Sequence, residues 1–541
     1  MTTFVSLMLA LILTVTLTPV FGWLARRLEI YDLPGPRKVH QWPVPRVGGM
    51  AMAVGAFIPI LIWVPLSTMI RAYLIGAGVL VAFGIADDWK GLSFKAKFVG
   101  QIVAALIAIF YGGVRIVTLG DLLPDGMELG YWVSVLLTLV TIVGVTNAIN
   151  LADGLDGLAG GICMLGLCCI GYLAYTVQDA GILLPMAALV GSILGFLRFN
   201  TYPAKLFMGD TGSMLLGFSA IFFSIALTQG KSELNTLLPL VILGFPVLDT
   251  LSVMAERISQ GRSPFSADKR HFHHHLMRMG LYHTESVFLI YVIQAALVTA
   301  ALLFRYSSEW FLLAGYLVFA VALLAFFHWA DSTGWKHVRS GLLDQTIKSP
   351  LRKLRERGVF IRVTFQTVEW GVPLLVLTTC LLPAEVSPYY SVFALGLLAW
   401  LILAFIVRKD RVKDAFTVSL YLFIPALIYL SDEGGRLHGP LLYLYHSAFL
   451  IFVFLALATL RLTRRKMGFK PTTMDFLVVF IAFVFLFLPE LRLQYGLMAV
   501  KVIVLFFCYE IILGEARDRI WTVASLTGLA YLVIAVRGLV G

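Results

Sequence analysis

Charge is scarce in this chain. Asp, Glu, Lys and Arg together make up 13% of its 541 residues, against roughly 25% in a soluble domain. That shortage excludes a disordered chain and a water-soluble globule of this size. Cysteine is also sparse: there are five, and Cys163, Cys168 and Cys169 share one apolar run with no disulfide or zinc spacing. No Walker loop or Rossmann glycine fingerprint stands between a strand and a helix. Internal repeats and low-complexity segments are missing too. The first apolar run, Thr2 to Leu24, has no basic residue before it and Arg26 and Arg27 after it. A signal peptide has the opposite layout and a small-residue cleavage site, so an uncleaved helix with its N-terminus outside is expected.

What the chain has in excess is apolar surface. Hydrophobic residues are 59% of the total and the mean hydropathy is +0.88. Apolar runs of about 16–22 residues recur about eighteen times, the length a helix needs to cross a hydrocarbon core roughly 30 Å thick. Alternating segments of a β-barrel are not seen. The fold class is therefore all-α, a polytopic integral membrane protein. The net charge of +11 gathers in loops beside the apolar runs, as the positive-inside rule places it, so no nucleic-acid partner is implied.

With the N-terminus outside, every odd helix ends on the cytoplasmic side. The polar stretches sort by that parity: Ala25 to Gly49, Asp87 to Lys97, Asn147 to Gly161, Arg198 to Ser213 and Glu256 to Gly280 all follow odd helices. The outer loop Gly113 to Gly130 has room for a small hairpin. About eleven transmembrane helices fill residues 1–330, and about seven more are expected in a C-terminal extension, 366–541. Between them, 331–365 reads as a basic cytoplasmic linker whose SPLRKLRERG run lies on anionic lipid headgroups as a short amphipathic helix. In the extension, the outer loop Ser431 to Pro440 holds a polar cluster of Asp432, Glu433, Arg436 and His438.

Four motifs carry chemistry. NAINLADGLDGLAGG places Asn147, Asn150, Asp153 and Asp156 at intervals of three between bilayer-length apolar segments, which sets all four near one face of a helical turn. Polar groups so placed cost several kcal/mol unless paired, and a cation with its anionic ligand would repay that. Asp87 and Asp88 form a carboxylate pair at a helix end, either merely solvated or tuned to accept a proton or position a metal. In FMGDTGS, Asp210 suits Mg²⁺ or an N-cap, or both, beside the exposed aromatic Phe207. HFHHHL sets His271, His273, His274 and His275 amid Lys269, Arg270 and Arg278, which repel a cation and suit phosphate oxygens better. A solvated histidine-rich loop is the plain alternative. No cysteine or carboxylate lies close enough in sequence to complete a zinc site. Taken together, these groups fit a metal-assisted displacement at phosphorus where bilayer meets cytosol.

The set PRKVHQWPVPRVGG, DDW, NAINLADGLDGLAGG, FMGDTGS and SADKRHFHHHLMRMG resembles the polyprenyl-phosphate N-acetylhexosamine-1-phosphate transferases. Over about residues 1–330 it is most similar to the branch that loads N-acetylglucosamine 1-phosphate, since the histidine loop has the H-x-H-H form. The resemblance implies that undecaprenyl phosphate attacks the β-phosphorus of UDP-N-acetylglucosamine, releasing UMP and initiating a cell-envelope polysaccharide. It implies an Mg²⁺-dependent enzyme, with Mn²⁺ an acceptable substitute, in the bacterial inner membrane with its active site facing the cytoplasm. By position, Asn150 and Asp210 would bind the metal. Asp87, with Asp88 beside it, would deprotonate or orient the lipid phosphate. Lys97 and His271 to His275 would contact phosphates, His271, His273 and His274 as catalytic groups. Asp156 and Phe207 would hold the uracil with Asp153 in support, and Asn147 and Arg270 would complete the substrate site. A homodimer is compatible with this reading. The rivals are another UDP-N-acetyl sugar as donor and, from a different class, an ion-coupled secondary transporter whose broken helices and intramembrane acids would look alike. Transporter sites lie near the midplane, whereas these acids gather at helix ends. The extension from about Gln366 departs from the family and takes no role from it.

Overall fold

The computed structural model describes residues 2–32, 43–124, 127–230, 233–263, 270–335, 359–407, 412–433, 439–462, 497–515 and 520–540. Among them, twelve helices are long and apolar enough to cross a membrane, so the protein is an all-α, multi-pass membrane protein. Its contacts divide the described residues into two units, one within 2–335 and the other within 359–540.

The first unit begins with α1 (Thr2–Leu28), a two-residue ribbon of β1 (Tyr31–Asp32) against β2 (Val44–Pro45), α2 (Gly48–Trp63) and α3 (Thr68–Lys90). Next come α4 (Phe94–Leu106), closed by a π-helical turn at Ile107–Tyr111, α5 (Tyr131–Ala152), α6 (Leu158–Thr176), α7 (Ala180–Asn200) and α8 (Gly209–Thr228). The short α9 (Leu238–Ile242) and α10 (Gly244–Ser259) break at Leu243 what the sequence reads as one span. The chain of this unit ends with α11 (Phe272–Arg278), α12 (His283–Leu303) and α13 (Glu309–Thr333).

Helix starts follow capping chemistry. Ser67, Ser93, Asp179 and Ser308 each accept a backbone N–H three residues on with a side-chain oxygen, which satisfies a donor that has no partner in lipid. Inside the spans, Thr146, Ser219, Ser224 and Thr228 return their hydroxyls to the carbonyl four residues back.

The core lies around α8, 94% buried along its apolar window, with α2, α3, α5 and α6 packed on it. Glycine permits the closest approaches. Gly49 faces the backbone of Gly212, Gly84 that of Thr211, and Gly217 that of Thr146. Tyr73 stacks over Phe218, 6.1 Å between centroids, and its hydroxyl meets Ser219 Oγ at 2.8 Å. At the far end from the acidic motifs, Glu309 accepts the N–H of Asp121 at 3.1 Å and that of Thr236 at 3.2 Å. The loop it clamps contains a 3-10 turn, Gly120–Leu122, and no strand among its described residues; the small hairpin it had room for is absent from them, and side-chain ties and the Leu129 N–H to Val117 O bond, 2.8 Å, hold it.

The second unit packs Val359–Thr379, Pro388–Val407, Val412–Glu433, Pro440–Leu462, Leu497–Glu515 and Ile520–Val540 around buried Val372, Phe416, Ile424, Tyr509 and Tyr531. Its buried Lys501 meets Asp432 at 2.5 Å and lies 4.8 Å from the Tyr445 ring centre. Arg436 and His438 of the expected polar loop, and the basic run of the linker, fall outside the described residues. The span expected as linker, 331–365, begins inside α13 and ends inside the helix Val359–Thr379.

Candidate active site

Five polar stretches converge at one end of the first unit. Asp87 and Asp88 close α3, and Gly91, at φ +68°, turns the chain so that α4 starts at Phe94. That three-residue turn brings Lys97 back over the pair. Lys97 Nζ lies 2.9 Å from Asp87 Oδ2 and 2.5 Å from Asp210 Oδ2. The remaining oxygen of Asp87 accepts the Leu92 N–H at 2.7 Å.

Asp88 is committed differently. Its Oδ1 accepts the N–H of Asp210 at 2.9 Å, and its Oδ2 accepts both the N–H and the hydroxyl of Thr211, at 3.1 and 2.6 Å. It therefore caps α8 from another helix, where the helix dipole favours an anion. The N-cap alternative for Asp210 is not what the structure shows. Met208 holds the cap position without a side-chain bond, and Asp210 sits inside the first turn, its carboxylate free of that duty and paired with Lys97. Asp87, Asp88 and Asp210 offer oxygens within 4.8 Å of one another. This hard, all-oxygen donor set fits Mg²⁺ or Mn²⁺.

Asn150, near the end of α5, donates to Ser213 Oγ at 2.9 Å, which ties it to the first turn of α8. Asn147 lies one turn earlier on the same helix. Asp153 and Asp156 do not continue that face. The helix stops at Ala152 and restarts after Gly157, whose φ is +81°, because Asn200 accepts the Gly157 N–H and Tyr291 donates to its carbonyl. The break puts Asp153 among the negative charges of Asp210, Asp88 and Asp156. Burial first, then those charges, push its carboxyl up to about 7, with Arg46 opposing. Asp156 accepts the Ala204 N–H at 2.9 Å. Phe207 is half-buried rather than exposed. Its backbone is stitched to the turn before α2, with Phe207 N donating to Pro45 O at 2.8 Å and Gly48 N to Phe207 O at 2.9 Å.

The histidines form α11 rather than a loop. A carboxylate far away in sequence anchors them: buried Asp249 of α10 bonds His271 Nδ1 at 2.9 Å and caps α11 through the Phe272 N–H at 2.7 Å. Sequence reasoning missed Asp249. Its signal was being the sole charge between Glu233 and Glu256 in an apolar stretch. His271 stacks on His273, 5.9 Å between centroids, and His273 meets His274 at a tilt, 4.2 Å between centroids. The His273 ring lies against Gly154, where a Cβ would sit 2.5 Å from Nε2, which ties the histidine helix to the broken-helix turn. Burial, reinforced by His274 and His271, holds the His273 imidazole well below its usual value, so it is neutral at pH 7. His275 turns elsewhere, with Nδ1 2.9 Å from Asp331 and 2.8 Å from Arg278. Burial lowers its pKa, as does Arg278. Arg270 pairs with Glu256.

The model of glycosyl transferase family 4 matches residues 70–228, from α3 through α8. In Bacillus subtilis, a protein named "Probable undecaprenyl-phosphate N-acetylglucosaminyl 1-phosphate transferase" is 37% identical over 309 residues, 57% of this chain and 86% of the relative. The chain belongs to this family. A decaprenyl-phosphate N-acetylglucosaminephosphotransferase of Mycobacterium leprae is 35% identical over 318 residues, covering 52% of this chain and 79% of the relative. The undecaprenyl-phosphate alpha-N-acetylglucosaminyl 1-phosphate transferase of Escherichia coli K12 is 31% identical over 348 residues, 61% and 90% of the two chains. The family region thus contains the acidic cluster and the broken helix, while α11 lies beyond the matched span.

Proposed function

We propose that this protein transfers N-acetylglucosamine 1-phosphate from UDP-N-acetylglucosamine to undecaprenyl phosphate at the cytoplasmic face of a bacterial inner membrane. One observation carries the reading: three carboxylates and Lys97 from α3, α4 and α8 converge at one end of the bundle, in a chain whose relatives bear names of that activity. An oxygen of the lipid phosphate forms a bond to the β-phosphorus of the nucleotide sugar, and the bond to the UMP oxygen breaks. One phosphoanhydride replaces another, so no ATP is needed.

Asp87 and Asp210, with Asn150 nearby, would hold a divalent cation. When bound, that ion supplies charge neutralisation at the diphosphate. The chain's own residues do the rest. Lys97, His271, His273 and His274 offer donors to phosphate oxygens. Asp87 orients the incoming phosphate, which is already largely ionised at neutral pH and gains little from a base. The Asp153 to Gly157 turn and Phe207 border the same region and are assigned to the uridine.

The test is a product assay in detergent or nanodiscs with undecaprenyl phosphate, Mg²⁺ and a panel of UDP-sugars. UMP and a lipid diphosphate N-acetylglucosamine are expected with UDP-N-acetylglucosamine. UMP release with only another UDP-sugar would reassign the donor, and flux without any UDP-sugar would favour a transporter. Asp210→Asn should abolish transfer while the protein stays folded, and near-normal turnover in that variant would refute the assignment.

A further inference from the structure

The oxygens of the acidic cluster are unevenly spent. Both oxygens of Asp88 and Oδ1 of Asp87 accept hydrogen bonds from the chain's own N–H and hydroxyl groups. Asp87 Oδ2 and Asp210 Oδ2 are held instead by the Lys97 ammonium, whose Nζ lies between them at 2.9 and 2.5 Å. An ion held by those two oxygens at Mg²⁺ distances of about 2.1 Å would stand where the ammonium now is.

We propose that Lys97 and the divalent cation are mutually exclusive occupants of the Asp87–Asp210 pair, so that metal binding releases the lysine and frees it to meet the phosphates of the nucleotide. This rests on the reading of the site as a phosphoryl-transfer centre. The physical reason is one of space and sign: an ammonium and a metal ion cannot occupy the same position between the two oxygens, and three neighbouring carboxylates left without either would repel one another. Lys97 is the group that can leave. Its side chain is 27% exposed, against 6% for Asp87, it hangs on a flexible four-carbon stem, and it rises from the first turn of α4, beside the open end of the bundle. In this account the lysine preserves the cluster in the resting enzyme and couples metal loading to the arrival of an anion. Lys97 is thus a positioning residue as well as a phosphate contact.

The experiment uses the full chain purified in detergent, without nucleotide. Mn²⁺ binding is followed by the loss of the free-ion EPR signal in wild type, Lys97→Gln and Asp210→Asn. Lys97→Gln is expected to bind Mn²⁺ at least tenfold more tightly than wild type, and Asp210→Asn to lose the site. Equal or weaker binding by Lys97→Gln would overturn the proposal. A second readout needs no variant: the acetylation rate of the Lys97 amine, measured by mass spectrometry at fixed pH, should rise severalfold when Mg²⁺ is added. An unchanged or slower rate would count against exclusion even if Lys97→Gln failed to fold. Wild-type UMP release is measured in parallel. Its absence alongside metal-dependent labelling would sink the functional reading alone, and its presence with metal-independent labelling would sink this inference alone.

Discussion

Asp249→Asn is the sharpest test of the site, because it changes one oxygen to a nitrogen in a buried side chain that makes two bonds of known geometry. Asp249 Oδ1 accepts from Phe272 N at 2.7 Å and Oδ2 meets His271 Nδ1 at 2.9 Å. A carboxylate only accepts, so His271 carries a proton on Nδ1. In the asparagine variant the carbonyl can keep the α11 cap, while the amide nitrogen donates toward Nδ1 and drives the imidazole to its other tautomer. The stability loss should be modest, about 1.5–3 kcal/mol for one charge-assisted bond. The loss of turnover should be larger, on the order of 10²–10⁴ if the tautomer of His271 serves the reaction. UMP-release kinetics, with thermal unfolding in the same detergent, separate the two. Turnover within twofold of wild type, in a folded variant, would refute a role for the Asp249–His271 pair. Asp249→Ala is the harsher comparison, since it also strands the Phe272 N–H and should lower the unfolding temperature further.

Three further outcomes follow from the packing. Asp88→Ala leaves the donors of Asp210 and Thr211 without their acceptor, each costing about 1–3 kcal/mol. A clear drop in melting temperature is expected, and an unchanged melt would show that α8 is not held from α3. Gly49→Ala sets a Cβ against the Gly212 backbone and should cut folded yield in size-exclusion chromatography, whereas Gly78→Ala, with nothing within 4 Å, should not. Asp153 titrates near 7 when folded and near 3.9 when unfolded, so its burial is without penalty below the lower value and costs most above the higher one. Asp153→Asn should therefore match wild type near pH 4 and, in EDTA, exceed it above pH 7 by up to about 4 kcal/mol. A melting-temperature difference that does not grow with pH would contradict this.

Membrane character and the clustering of acids at one end were both legible from residue order. They depend on hydropathy, span length and loop charge, which act locally along the chain. The family motifs were legible for the same reason. Other features needed the fold. A regular spacing of three cannot reveal that Gly157 takes a positive φ and breaks the helix, because the ties to Asn200 and Tyr291 come from later helices. The division of labour between Asp87, which faces Lys97, and Asp88, which caps α8, turns on which neighbour each adjacent carboxylate reaches. Asp249 gains its role only because the fold brings α10 to the start of α11, where it meets His271 and the Phe272 N–H. The sequence by itself determined that polar groups would collect at the ends of apolar helices, since a hydrocarbon interior excludes them. Only the tertiary structure decided which oxygen meets which donor, since those pairings join residues more than a hundred positions apart and depend on helix rotation and close glycine contacts.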